Sequence, residues 1–239
     1  MTGAGGGLGL AIARAFVDAG AIVGMLDLNE TILKEAVRAF PAGRAIPFVA
    51  DVSRRKAVGE AINAFVQQTG GLDVAVNNAV YFNYAPLVDM AEETVDKMID
   101  VGLKGAFWTL QAATPHLIAR GGGTVINLSS IAVSIAIANA AVYSSIKGAL
   151  DALTRQQAVE LAKHNITVNA LAPGSVITPG ASTVISDEGW RQRAARTPLK
   201  RLATVEEIGA AAVFLASDAA RAITGVTLKI DAGVTIAGL

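Results

Sequence analysis

Three polar side chains in the middle of the chain have the spacing of an acid–base site. Tyr143 and Lys147 lie four positions apart, so on a helix their side chains share one face, and Ser130 lies thirteen positions before the tyrosine. Oxidation of an alcohol needs a base for the hydroxyl proton, but a free tyrosine, with a pKa of about 10, is protonated at neutral pH. The positive charges of the lysine and of an oxidised nicotinamide would lower that pKa, and Ser130 would orient the substrate oxygen.

A glycine loop at the start of the sequence has the spacing of a phosphate-binding turn. Gly3, Gly7 and Gly9 lead directly into a helical pattern, where backbone N–H groups can approach a pyrophosphate and the helix adds its positive dipole end. Asp27 ends the next apolar run, at the distance expected for an acidic residue that binds ribose hydroxyls. Its charge would repel a 2′-phosphate, and residues 2–9 contain no basic side chain. The pattern therefore predicts NAD, rather than NADP, as the cofactor.

Six short apolar runs alternate with longer helical patterns. Nearly continuous apolar runs of strand length are typical of parallel strands that are covered on both faces. The alternation predicts an α/β fold, a doubly wound parallel sheet (Rossmann fold) in three α/β/α layers, as one domain over residues 1–239. The runs are Ala21–Asp27, Arg44–Ala50, Leu72–Asn77, Thr124–Leu128, Thr167–Leu171 and Val226–Ile230.

Four helices are predicted from apolar residues at a spacing of three and four. The first covers Leu8–Ala19 and ends with Gly20 as its C-cap, and the fourth begins at Thr204, whose partner in a capping box would be Glu207. The other two cover Val95–Ala113 and, approximately, Ala141–Lys163.

The glycine loop lacks the strand that should precede it. In a doubly wound sheet that strand is central, and burial of its five or six apolar side chains would contribute on the order of 10 kcal/mol. We therefore expect that Met1 is a late start and that an upstream strand exists in the natural protein.

The composition excludes several classes of protein. The 20 basic and 20 acidic residues cancel, so no net field would attract nucleic acid or an anionic membrane. No stretch reaches the roughly 18 apolar residues of a membrane helix, and no export signal is present, which predicts a cytoplasmic protein. With no cysteine and two isolated histidines, no metal site is predicted.

Taken together, these motifs resemble those of the short-chain dehydrogenase/reductase family over essentially the whole chain. The catalytic segment is similar in Ser130, Tyr143 and Lys147. The other matching segments are Thr2-Gly3 with Gly7-Leu8-Gly9, Asp51-Val52, Asn77-Asn78-Ala79, Pro173-Gly174 with Val176 and Thr178, and the tail segments Thr224-Gly225 and Asp231-Ala232-Gly233. Val80 stands where the family usually has glycine, and Gly102 stands where it usually has an asparagine that holds a water in the proton relay.

This resemblance implies a nicotinamide-dependent enzyme that interconverts a small secondary alcohol and a ketone. Tyr143 would be the acid/base, Lys147 would activate it and bind the nicotinamide ribose, and Ser130 would bind the substrate oxygen. The family's usual assembly implies a homotetramer, with one interface made by the helices near 92–118 and 141–163. The implied NAD-binding residues are Gly3, Gly7, Leu8, Gly9, Asp27, Asp51, Val52, Asn78, Ala79, Tyr143, Lys147, Pro173, Gly174, Val176 and Thr178.

Two other functions stay open. One is an NADPH-dependent 3-ketoacyl carrier-protein reductase, against which Asp27 argues. The other is a dinucleotide-binding protein without turnover, for which Gly102 and Val80 argue. Two sets of side chains also have two interpretations. Tyr81, Phe82 and Tyr84 either form a wall of the substrate cleft or pack locally, and the arginines at 191, 193 and 196 form either a solvated helix face or a patch for an acidic carrier.

Overall fold

The computed structural model describes residues 1–183 and 185–237, and its strands coincide with the six predicted apolar runs. Each observed strand overlaps one run, and the ends differ by a few residues because backbone pairing, not side-chain type, sets where a strand ends. The strands are β1 (Val23–Asp27), β2 (Ala45–Val49), β3 (Val74–Asn77), β4 (Gly123–Leu128), β5 (Ile166–Pro173) and β6 (Thr227–Ile230).

All strand pairs are parallel, but they form two sheets instead of one. β1 pairs only with β2, whereas β3, β4, β5 and β6 follow one another in a four-stranded sheet. Every residue of β4 and β5 is buried, as expected for central strands covered by helices on both faces.

Residues 1–4 connect the two sheets. The Thr2 N–H donates to the Val76 carbonyl of β3 at 3.0 Å, while the Leu26 N–H of β1 donates to the Met1 carbonyl at 2.9 Å. Alongside them, between β1 and β3, lies a mainly apolar cavity of about 390 Å³ whose lining includes Met1, Leu26, Phe65 and Val76.

Helices cover both faces of the sheets, so the predicted three layers are confirmed. One face carries α1 (Gly7–Asp18), α2 (Glu30–Arg38) and α9 (Val205–Ala216), which share a core with β1, and the other carries α3 (Arg55–Thr69), α5 (Gly105–Arg120) and α6 (Ala141–Leu161). The remaining helices are α4 (Glu92–Ile99), α7 (Pro179–Ser182) and α8 (Asp187–Arg196). Within the described ranges, no helix has the length and apolar character to cross a membrane.

The helix ends were predicted with small errors. The capping box of Thr204 and Glu207 is confirmed, but α1 has Ala19 as its C-cap, and Gly20 follows it with φ +93°. The predicted helix over Val95–Ala113 is interrupted, because Asp100–Lys104 forms a π-helical segment between α4 and α5. Apolar spacing does not distinguish a π turn from an α turn, so the sequence did not show this interruption.

Candidate active site

The predicted catalytic side chains meet where β4 ends and α6 begins. Ser130 follows β4, and Tyr143 and Lys147 lie on the first turns of α6. The Lys147 Nζ is 5.6 Å from the centroid of the Tyr143 ring, and the Ser130 hydroxyl accepts from the Ala132 N–H at 3.1 Å. Residues far apart in sequence thus form one cluster at the carboxyl end of the sheet, where open α/β sheets bind ligands.

Lys147 is held in place by the main chain. Its side chain is buried, and its Nζ donates to the Leu128 carbonyl at 2.5 Å, at the last residue of β4. Burial lowers the pKa of Lys147 to about 8, because a charged ammonium is costly in an apolar environment. Lys147 is therefore largely charged below pH 8, and it loses this charge as the pH rises further.

The pKa of Tyr143 differs from the expectation. Burial raises the pKa of this phenol, and the hydrogen bond from Ser130 opposes the rise without cancelling it. The expected lowering is thus not produced by the surrounding protein groups, because the cost of burying a phenolate outweighs the Ser130 hydrogen bond. Spacing along a helix could not have shown this, since burial depends on what packs against the ring.

The glycine loop has the close approaches that only glycine allows. A Cβ at Gly9 would lie 2.0 Å from the Gly3 carbonyl oxygen, and a Cβ at Gly3, whose φ is +62°, would lie 2.8 Å from the Cα of Ala79. By contrast, a Cβ at Gly6 would meet no atom within 4 Å, so open space lies above the middle of the loop. No side chain caps α1, and its first turn carries no acidic residue. Such an open, uncapped helix start fits an anionic group such as a pyrophosphate.

Two polar residues hold this loop against β3, and one of them was not predicted. Asn78 Nδ2 donates to the carbonyls of Thr2 and Gly3 at 3.1 and 2.8 Å, so its side chain supports the loop. The Thr2 hydroxyl accepts from the backbone N–H groups of Asn78 and Ala79, both at 3.1 Å. The sequence shows Thr2 only as part of the loop motif, because its partners lie some 75 residues further along the chain.

The acidic residues after β1 and β2 lie as predicted, at the strand ends. Asp27 accepts hydrogen bonds from the Gly5 N–H at 2.9 Å and the Asn29 N–H at 3.1 Å, so it is oriented beside the glycine loop. Asp51 accepts from the Ser53 N–H at 2.9 Å, whereas Val52 is buried and packs against Gly105 at the start of α5.

The segment after β5 passes over the glycine loop. Gly174 donates to the Ile230 carbonyl at 2.9 Å, and a Cβ there would lie 2.8 Å from Asp231. Val176 is buried, and Thr178 accepts from the Ala181 N–H as the N-cap of α7. The Thr178 side chain also lies 3.8 Å from the Cβ position of Gly7, which places it directly above the loop.

Together these residues fit a nicotinamide dinucleotide. The open glycine loop suits the pyrophosphate, and Asp27, which is held beside that loop, suits the adenosine ribose. Across residues 1–183 and 185–237, no group of three or more His, Cys, Asp or Glu side chains could hold a metal ion.

Gly102 lies inside the π-helical segment and faces α6. It is buried, and a Cβ at this position would lie 3.0 Å from Cγ2 of Ile146, the residue before Lys147. Ile146 therefore fills the space beside the position where the family usually has asparagine.

We expect Gly102→Asn to lower the free energy of unfolding by about 1–3 kcal/mol, because Ile146 must move and a buried amide needs partners. Turnover should be preserved or increased if the amide completes a proton relay. Thermal unfolding measures the loss of stability, and kcat of the same preparation measures the turnover. Gly102→Ala, which adds the Cβ without the amide, is the control. A clear loss of kcat in a stable Asn variant would contradict the relay hypothesis.

The aromatic residues after Asn78 divide into two groups. Tyr81 faces α4, where the Lys97 Nζ lies 4.2 Å from its ring centroid. Phe82 and Tyr84 instead contact Tyr143, with ring centroids 6.5 and 5.6 Å away. Tyr81 thus packs locally against α4, Phe82 and Tyr84 lie against Tyr143, and both interpretations of this loop stay open.

Comparisons with known proteins identify relatives over nearly the whole chain. The family model described as enoyl-(acyl carrier protein) reductase matches residues 3–235. The chain is 36% identical to a short chain dehydrogenase/reductase of Aspergillus oryzae, covering 99% of this chain and 94% of the relative. It is 35% identical to a 3-oxoacyl-[acyl-carrier-protein] reductase of Thermotoga maritima, and the match covers 99% of this chain and 96% of the relative.

A solved structure agrees with these matches. The structure of gluconate 5-dehydrogenase from Burkholderia cenocepacia, in complex with NADP and tartrate, superposes with a TM-score of 0.90 at 34% identity. The match covers 99% of this chain and 94% of that one.

Proposed function

Since the chain belongs to the short-chain dehydrogenase/reductase family of oxidoreductases, we propose that it uses NAD to interconvert a small secondary alcohol and a ketone. One observation carries this proposal: the half-buried Tyr143 has the buried Lys147 beside its ring, Ser130 follows the neighbouring strand β4, and the same chain carries an open glycine loop. Such an arrangement suits removal of a hydroxyl proton beside a bound dinucleotide.

Each protein group has one task in this reaction. Ser130 holds the substrate oxygen, and Tyr143 takes the hydroxyl proton during oxidation and returns it during reduction. Lys147, oriented by the Leu128 carbonyl, offers positive charge that favours the phenolate. A nicotinamide dinucleotide held by the glycine loop and Asp27 would supply the redox chemistry, as the acceptor for the hydride of the carbinol carbon. The protein therefore supplies orientation and proton transfer, and the cofactor supplies the redox chemistry.

The choice of NAD rests on Asp27. Its carboxylate is held beside the loop by the Gly5 N–H, and residues 2–9 offer no basic side chain to a 2′-phosphate. A fixed negative charge at this place favours a ribose with free hydroxyls and repels a phosphate.

A 3-ketoacyl carrier-protein reductase is the second candidate. The similarity to the Thermotoga maritima reductase favours it, as does α8, which presents exposed arginines at positions 193 and 196. Arg191 is paired with Glu188 at 2.7 Å and is less available to an acidic carrier. Because the same catalytic groups would serve both substrates, only the substrate and cofactor distinguish the two functions.

Calorimetric titration with NAD and NADP is the first test of the proposal. We expect NAD to bind at least tenfold more tightly, and we expect NADH to support reduction of small ketones. Preferential binding of NADPH together with reduction of an acetoacetyl carrier protein, but of no free ketone, would favour the second candidate. Binding of NAD without turnover of any alcohol or ketone would favour a binding protein.

We further propose that the protein assembles as a homotetramer through α5 and α6. Both helices leave apolar side chains on the surface: Val159 of α6 is 77% exposed, and Phe107 and Ile118 of α5 are also exposed. Light scattering after size-exclusion chromatography should give about four times the chain mass of 24.4 kDa. A Val159→Glu change should reduce this mass, because a buried unpaired charge is costly in an interface; a monomer in the unchanged protein would contradict the proposal.

A further inference from the structure

We propose that Tyr84 determines substrate specificity by hydrogen-bonding a second hydroxyl group close to the reacting carbon. This inference rests on the proposed function, since it assumes that Tyr143 carries the acid–base step. It names the substrate class as α-hydroxyketones and vicinal diols, in preference to plain ketones and alcohols.

The contacts of Tyr84 place it directly beside the acid–base residue. Its ring meets the Tyr143 ring edge to face, with centroids 5.6 Å apart and an angle of 65° between the planes. Phe82 completes the cluster, 5.6 Å from Tyr84 and 6.5 Å from Tyr143. The Tyr84 ring therefore borders the ring of the proposed base, where a substrate that reaches Tyr143 would bind.

The loop that carries Tyr84 is anchored at two points. The Ala85 N–H donates to the Asn139 carbonyl at 3.0 Å, which ties the loop to the segment between Ser130 and Tyr143. Phe82 packs with Met98 and Ile146, a cluster between α4 and α6. Because its neighbours are fixed, Tyr84 loses little conformational freedom when a substrate binds. More of the free energy of its hydrogen bond is then available for binding the substrate.

The Tyr84 hydroxyl is free to bind a ligand. Tyr84 is 41% exposed, and its hydroxyl forms no hydrogen bond with the described part of the chain. Burial of the rest of the residue raises its pKa to about 12, the nearby Tyr143 adds to the rise, and Arg193 of α8 opposes it. Tyr84 therefore stays protonated at working pH and can donate a hydrogen bond, a role distinct from that of the base.

Tyr81 provides the matched comparison within the same loop. Its ring is covered by Lys97 of α4, and it makes no ring contact with Tyr143. Tyr81→Phe thus removes one phenol oxygen from the same loop, as Tyr84→Phe does, but from a ring that does not contact Tyr143.

Acetoin and 2-butanone are suitable probes, because they share a carbon skeleton and differ by one hydroxyl beside the carbonyl. We expect the unchanged protein with NADH to have a kcat/KM for acetoin about tenfold or more above that for 2-butanone, the range for a hydrogen bond that the site is built to make. In Tyr84→Phe the two kcat/KM values should differ by no more than about twofold, mainly because the KM for acetoin rises. In Tyr81→Phe the ratio should stay as it is.

The outcomes distinguish a failure of the proposed role of Tyr84 from a failure of the proposed reaction. Reduction of both probes without preference, or a preference that survives Tyr84→Phe, overturns the role of Tyr84 and leaves the proposed reaction in place. A ratio that falls equally in Tyr81→Phe also overturns it, since the effect then comes from the loop as a whole. Failure to reduce either probe, despite NADH binding, counts against the proposed reaction as well.

Discussion

Tyr143→Phe is expected to lower kcat/KM for alcohol oxidation by about a thousandfold, or about 4 kcal/mol of transition-state stabilisation. The change removes the hydroxyl of the proposed base, but it keeps the ring that packs against Tyr84 and Phe82. Steady-state kinetics with NAD and a series of secondary alcohols measure the loss. The melting temperature should change little, because the buried ring stays in place.

The pH dependence provides a second measure of the same residue. Burial raises the pKa of Tyr143, so the deprotonated base becomes more abundant as the pH rises, and oxidation by the unchanged protein should accelerate up to about pH 8, above which Lys147 loses the charge that favours the phenolate. Any activity left in Tyr143→Phe should lack this rise. Tyr81→Phe is the control for a lost hydroxyl outside the cleft. If Tyr143→Phe kept more than a tenth of the activity, another group would have to be the base.

Asp27→Asn should reduce the preference for NAD over NADP by about a hundredfold. The change removes the charge while keeping an oxygen that can accept from the Gly5 N–H, so the loop should remain in position. Loss of a charged hydrogen bond to a ribose costs about 1.5–3 kcal/mol, and relief of repulsion toward a 2′-phosphate adds to the change in preference. The ratio of kcat/KM values for the two cofactors, with one alcohol, measures it.

Glu30→Gln is the matched control for Asp27→Asn. It removes one negative charge nearby, from an exposed side chain that pairs with Lys34 at 2.6 Å and does not contact the glycine loop. A similar change of cofactor preference in both variants would mean that general charge, not the carboxylate of Asp27, selects the cofactor. An unchanged ratio in Asp27→Asn would remove the main argument for NAD.

Much of the architecture could be predicted because it depends on local rules. A strand that is covered on both faces must be apolar along its length, so each apolar run marked a strand. The capping box at Thr204 and the positive φ of Gly3 and Gly7 depend on a few neighbouring atoms. The spacing of Tyr143 and Lys147 required only the period of a helix.

Other features could not be predicted, because distant segments decide them. Gly102 of the π-helical segment faces Ile146 of α6, more than 40 residues away, and the support of the glycine loop by Asn78 joins positions some 75 residues apart. Within one short loop, Tyr81 turns toward Lys97 and Tyr84 toward Tyr143, although the two residues have the same chemistry and lie three positions apart.

The sequence by itself determined the fold class, the order of the six strands along the chain and four of the helices between them. Only the tertiary structure decided the division into two sheets around a cavity of about 390 Å³, and the raised pKa of Tyr143. The physical reason is that secondary structure depends on neighbours along the chain, whereas burial and strand pairing depend on neighbours in space. A pKa or a strand edge is therefore a property of the assembled molecule.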